Sequence, residues 1–198
     1  MIFLKILQIT PTLYPTISFG GGSIVAWGLS KALAQSGNQV TIISTDAGDD
    51  SRTPSGRSTQ DETKIIRVRN LSNSLAYQFK LFLPLVNPTA IRKEVRPSNV
   101  VHLHDFRIIL NLLTAQIAMD EGLPVVVQPH NTLRADYLGR RSLKDLVDVI
   151  MGNRIASKID AWVALSEVEK DYLVQFGIQQ SKIHVLQSGI DLDQFKTD

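Results

Sequence analysis

The sequence predicts an α/β fold: a doubly wound, mainly parallel sheet of about seven strands with helices on both faces, a Rossmann-like arrangement. Short apolar or β-branched runs alternate with stretches of helical spacing along the whole chain. The first of these runs, Leu4 to Thr10, is apolar enough to be covered on both sides, as strands of parallel sheets are. Glycine or proline stops close the helical stretches at Gly37, Pro97, Gly122 with Pro124, and Gly177.

Taken in order, Leu4 to Thr10 is the first strand. A long turn, Pro11 to Phe19, leads through Gly20-Gly21-Gly22 into a helix over Ser23 to Gln35. Its spacing puts Ile24, Val25, Gly28, Leu29, Ala32 and Leu33 on one side. Val40 to Ser44 is β-branched and forms the second strand. Asp46 to Glu62 is polar, with Gly48, Pro54 and Gly56, and reads as a mobile loop. In Ile65 to Arg69, Ile66 and Val68 alternate with arginines, which places that strand at a sheet edge. A short helix fits within Asn70 to Pro84. Asn87 caps the next helix, with Pro88 at its first position. Val100 to His104 is a strand, and Ile108, Ile109, Leu112, Leu113 and Ile117 mark the helix after it. Val125 to Gln128 is a central strand, Asn131 to Arg141 an arginine-rich loop, and Ser142 caps a helix reaching about Ser157. Ala161 to Leu165 is a strand. Ser166-Glu167-Val168-Glu169 has the spacing of a reciprocal capping box, opening a helix that buries Val168, Tyr172, Leu173 and Phe176. Lys182 to Leu186 is the last strand.

Composition narrows the function classes. A net charge of +2 over 198 residues gives no electrostatic case for nucleic acid. The chain has no cysteine, so disulfides, thiolate metal sites and cysteine nucleophiles are excluded. No apolar stretch reaches the roughly 18 residues of a membrane span, and the N-terminus lacks the pattern of a signal peptide, so a cytoplasmic location is expected. No G-x-S-x-G elbow and no phosphate loop ending in Gly-Lys-Ser/Thr is present.

In sheets of this class, ligands bind outside the carboxyl ends of the strands, where the strand order reverses. That singles out Pro11 to Gly22, His104-Asp105, Pro129-His130-Asn131 and Ser166. A glycine run before a helix lets a ligand approach the backbone and offers a positive helix end to phosphate or a sugar hydroxyl. His104, Asp105 and His130 are suited to hydroxyl-rich ligands or to handling protons, and no paired-histidine spacing supports a metal. His102 lies within the sheet and reads as a satisfied core histidine. A nicotinamide-dinucleotide oxidoreductase is the competing reading: the fold class suits it and Asp46 stands where a ribose-binding acid would. The adjacent glycines and the long first turn do not fit its fingerprint. Arg134, Arg140, Arg141 and Lys144 form a basic cluster beside Tyr137 and Leu138, either a solvated face or a peripheral contact with anionic lipid at the inner side of a membrane.

Several of these segments together resemble a known family. Ile6-Leu7-Gln8-Ile9-Thr10 leading to Gly20-Gly21-Gly22, Asn99 to Asp105, Pro129-His130-Asn131, and the end from Asp160 to Ser166 and from Lys182 to Asp191 are similar to the N-terminal domain of retaining GT-B glycosyltransferases of family 4. The resemblance is weakest from Asp46 to Asn87. It implies two Rossmann-like domains facing a cleft, with residues 1–198 forming the one that holds the acceptor. The paired glutamates and most donor contacts would belong to a C-terminal domain absent from this chain. The chain would then be either a truncated piece or a stand-alone acceptor-binding or scaffold subunit that pairs with a separate donor-binding chain. The activity implied is hexosyl transfer from a nucleotide-diphosphate sugar to a glycan, lipid-linked or small-molecule acceptor, without metal or other cofactor and with little activity from this chain alone. By position, Gly20, Gly21 and Gly22 would approach the donor phosphates and sugar, His130 would act at the reacting centre, and His104, Asp105, Asn131 and Arg134 would border the acceptor.

Overall fold

The computed structural model describes residues 3–133 and 153–189. Eight strands form one sheet: β1 (Lys5–Ile9), β2 (Gln39–Thr45), β3 (Gly56–Gln60), β4 (Thr63–Val68), β5 (Val100–His104), β6 (Val125–Gln128), β7 (Ala161–Ala164) and β8 (Ile183–Val185). Their spatial order is β3-β4-β2-β1-β5-β6-β7-β8, parallel throughout except for β3 against β4. The described helices are α1 (Gly22–Gln35), α2 (Asn73–Phe79), α3 (Pro88–Val95), α4 (Ile109–Asp120), α5 (Asn153–Ala156) and α6 (Glu167–Gln175). The chain first winds from β1 towards β2 and β4, then returns to the other side of β1 as β5. The strand order therefore reverses between β1 and β5, and their carboxyl ends diverge into a crevice.

One face of the sheet carries the larger core. Leu7, Ile9, Val101, Leu103, Val125 and Val127 pack against Ile91 and Val95 of α3 and Leu110 and Ile117 of α4. The opposite face holds a smaller cluster of Leu13, Ala26, Ile42 and Ile65, with Trp27 against it, under α1. Asn87 caps α3 through a hydrogen bond from the Thr89 N–H, with Pro88 in its first turn, as its sequence predicts.

Four local expectations are corrected. The inward face of α1 is Ser23, Ala26, Ser30 and Ala34, whereas Ile24 is 50% exposed and Gly28 and Ala32 face solvent. Small side chains let this helix lie close over β1 and β2. The polar stretch Asp46 to Glu62 is not all loop: Gly56–Gln60 pairs with β4 as an eighth strand, turned by Asp61 and Glu62, both at positive φ. β4 is consequently flanked on both sides rather than lying at the edge. The Ser166 box is half formed. Its hydroxyl accepts the Glu169 N–H, but the Glu169 carboxylate takes the N–H groups of Leu165 and Asn131 in place of that of Ser166. Val168 is 60% exposed rather than buried; Leu173 is buried as expected, and Glu169 is buried beside it. The expected helix from Ser142 is described only at Asn153–Ala156; Arg134 and the basic cluster of Arg140, Arg141 and Lys144 lie outside the described residues.

Candidate active site

The site is built where the loops after β1, β5 and β6 converge. The first of these is pinned near its tip: the Ile17 and Ser18 N–H groups donate to the Asp49 carboxylate, and the Ser23 hydroxyl donates to the Thr16 carbonyl at 2.7 Å. Those bonds hold Asp49 below the usual carboxylate range despite the opposing effect of burial. Gly20, at φ 111°, makes the turn into α1. Gly21 is the N-cap and has no side chain to offer. No acidic residue stands in the first turn either, so the positive end of α1 opens unneutralised by any side chain of its own.

His130 lies directly against this helix start. A Cβ placed on Gly22 would sit 3.5 Å from His130 Cδ2, an ordinary van der Waals distance, so the glycine leaves a gap about one methyl wide in front of the imidazole. Behind His130 stands His104, fully buried, with the two rings edge to edge and their planes within 14° of each other. His104 Nδ1 lies 3.0 Å from His130 Nε2, and His104 Nε2 lies 2.9 Å from Gln8 Oε1. Gln8 comes from β1 and is also fully buried, next to His102 in register and below Ser30 of α1.

The donor count sets the direction of this chain. With its oxygen towards His104, Gln8 leaves both amide hydrogens buried without a partner. Turning the amide over places its nitrogen between His104 Nε2 and the Ser30 hydroxyl. Ser30 is free to accept, because its own proton goes to the Ala26 carbonyl at 2.8 Å. An unpaired carbonyl costs less than an unpaired NH2, so the turned amide is favoured. His104 then carries its proton on Nδ1 and donates it to His130 Nε2. A neutral His130 must carry its proton on Nδ1, which is the donor it can offer a ligand.

Burial keeps these rings neutral. It lowers His130 to about 4, and it lowers His102 to about 4 with help from the nearby His130. His104 is held well below the ordinary histidine value by burial and by its two neighbours. His102 is not the satisfied core residue its position suggests: its Nε2 is buried without a partner among the described residues.

Asp105 and Asn131 complete the rim. Asp105 (φ 68°) is raised to about 7, chiefly by burial and further by the charge of Glu169, against a hydrogen bond with Thr132. Its carbonyl and that of His104 both accept from the Asn111 amide of α4. His130 and Asn131 have φ of 53° and 62°, consecutive left-handed residues that turn the chain sharply after β6. The Asn131 N–H donates to Glu169, whose other oxygen accepts the Leu165 N–H at 2.7 Å.

The structure thus brings Gly20, Gly21, Gly22, His104, Asp105, His130 and Asn131 to one crevice. His104 has no exposed surface and both nitrogens are engaged, so it supports His130 rather than facing an acceptor itself. Gln8 and Glu169 were not singled out from the sequence. A glutamine inside an otherwise apolar strand is the one signal that pointed to Gln8. Asp46 is committed elsewhere, to Arg52 at 3.0 Å and to the Asn70 N–H at 2.7 Å, which leaves the ribose-binding role of the dinucleotide reading without its acid. Among the described residues, no group of histidines and carboxylates is arranged to hold a metal, and no helix is long and apolar enough to cross a membrane.

The family model Glycosyltransferase Family 4 matches residues 19–194. The chain belongs to glycosyltransferase family 4. Solved structures share the fold. The Anabaena protein Alr3699/HepE in complex with UDP-glucose is 14% identical with a TM-score of 0.66, over 98% of this chain and 46% of that one. Sucrose-phosphate synthase from Thermosynechococcus elongatus is 13% identical with a TM-score of 0.63, over 96% of this chain and 49% of that one. This family 4 chain therefore spans about half the length of those proteins and corresponds to the N-terminal half of the GT-B fold. A search among curated proteins returned no match.

Proposed function

We propose that this domain is the acceptor-side half of a retaining glycosyltransferase of hexosyl type. A sugar would leave a nucleotide-diphosphate donor and join a hydroxyl of a glycan, lipid-linked or small-molecule acceptor. The observation that carries the reading is the juxtaposition of Gly22 and His130 at the switch point of the sheet: a bare, positive helix start facing a neutral imidazole across a methyl-sized gap. Membership of the family and the UDP-glucose held by HepE support it.

In the reaction, the bond between the anomeric carbon and the diphosphate oxygen breaks and a bond to the acceptor oxygen forms. The acceptor's proton ends on the released diphosphate. The developing negative charge on the diphosphate is met by the start of α1, where Gly20, Gly21 and Gly22 leave room for the backbone to approach. His130, neutral and with Nδ1–H available, donates to the transferred sugar. Asp105 and Asn131 border the acceptor. The nucleotide is held mainly by a second Rossmann-like domain across the cleft, so this domain by itself transfers little sugar.

The test is His130→Ala in the complete enzyme. Loss of a donor placed at the reacting centre lowers kcat by about 100-fold or more in a protein that still folds, with the thermal midpoint lowered because the buried His104 Nδ1–H loses its partner. Unchanged turnover would remove His130 from the chemistry and the reading with it.

A further inference from the structure

A carboxyl group with 2% of its surface exposed needs a hydrogen-bond partner for each oxygen inside a protein. Glu169 has one on each. One accepts the N–H of Asn131 in the loop after β6, and the other accepts the N–H of Leu165 at the end of β7. Its own N–H is satisfied separately by Ser166 Oγ at 3.2 Å. The side chain is thus not needed to cap its own helix and serves to join the ends of two neighbouring strands.

The peptide it grips is a particular one. The Asn131 N–H belongs to the plane between His130 and Asn131, whose orientation is shared by His130 ψ and Asn131 φ. Both residues are left-handed, a conformation that costs a non-glycine residue on the order of 1 kcal/mol or more. A charge-assisted hydrogen bond to that N–H offsets the cost. With the backbone fixed there and the ring hydrogen-bonded edge to edge with His104, the imidazole is turned towards Gly22.

We propose that Glu169 is a positioning residue of the site: from behind the β6 exit it fixes the peptide between His130 and Asn131 and so aims His130 at the glycine loop. It rests on the reading of His130 as the group that meets the sugar, and it has a readout independent of activity.

In the 198-residue chain, the Asn131 amide proton resonates far downfield and exchanges slowly. In Glu169→Gln, one of the two N–H groups faces an amide NH2. The Asn131 signal moves upfield, its exchange accelerates at least tenfold, and the His130 ring resonances shift. Ser166→Ala is the control, since it weakens the start of α6 while leaving the carboxylate in place; the His130 and Asn131 signals stay. In the complete enzyme, Glu169→Gln lowers kcat at least tenfold with KM changed less than twofold, because the sugar still binds but meets a misdirected imidazole. An Asn131 amide that exchanges at ordinary loop rates in the wild type overturns the proposal even if Glu169→Gln does not fold. So do unmoved His130 resonances in Glu169→Gln, or equal shifts in Ser166→Ala. If instead His130→Ala is fully active while these resonances behave as described, the functional reading fails and the geometric role of Glu169 stands.

Discussion

The loops that follow β1 and β6 face each other at Gly22 and His130, yet they are held by different means. The glycine loop has buried bonds from Thr45 to Pro11 and from Ser23 to Thr16, but its tip is tied from outside. Asp49 accepts two of its N–H groups at the surface, and the Lys80 ammonium reaches the Ser18 carbonyl while lying 4.5 Å above the Phe19 ring. The histidine loop is tied from inside, by the buried His104 and the buried Glu169. Surface ties are cheap to break and easy to reform, whereas buried ones leave an unpaired group behind when a partner is removed. A rigid imidazole facing an adjustable glycine lip suits a site where one wall defines geometry and the other admits a ligand.

The contrast is broken most directly at His104. His104→Ala removes a filled position at full burial and strands both Gln8 and His130. A loss of about 3 kcal/mol is expected in urea unfolding, with the transition midpoint lowered and its slope kept. A variant within 1 kcal/mol of the wild type would show that the ring chain contributes little.

Acid sharpens the same comparison, because it acts on the histidine wall alone. His102, His104 and His130 have folded values below their unfolded ones, so they bind protons more readily when unfolded. Their contribution is complete above the unfolded value of about 6.5 and is lost as pH falls towards 4. Asp105 works the other way. Raised to about 7, it favours the fold below its unfolded value near 4, and that contribution is lost as pH rises through 7. Three imidazoles outweigh one carboxyl, so the thermal midpoint should fall between pH 7 and pH 5, and Asp105→Asn should make the fall steeper. A flat profile would contradict neutral buried rings.

The smallest effect is expected on the outer wall. Asp49→Ala should move the thermal midpoint by less than about 2 °C, yet speed amide exchange at Ile17 and Ser18. Unchanged exchange at both would mean that the glycine loop is held by something other than Asp49.

The sheet and the convergence of the three loops were legible because alternating buried strands and helices permit few windings, and the crevice follows from the winding. What escaped reading depends on partners distant in sequence. Gly56–Gln60 has no apolar residue, so nothing local marks it as a strand; pairing with β4 makes it one. The face of α1 was misread because apolar residues lie on both of its sides, and close packing over β1 and β2 selected the small ones. Glu169 has the spacing of a local cap, but its carboxylate joins the Leu165 N–H, just before its own helix, to the Asn131 N–H of a different loop. His104 looked like a rim residue from its place at a strand end; only the packing of Gln8 and His130 shows it enclosed.

The β3–β4 hairpin has a consequence for assembly. β3 ends the sheet on that side with Gly56, Arg57, Ser58, Thr59 and Gln60, all exposed, and Arg57 and Lys64 of the hairpin are anchored to Glu94 on α3. Its unpaired backbone groups would accept another strand, but a polar margin fastened down by ion pairs offers an incoming chain almost no greasy surface to settle on. Side-by-side growth into larger sheets is thereby discouraged at this margin.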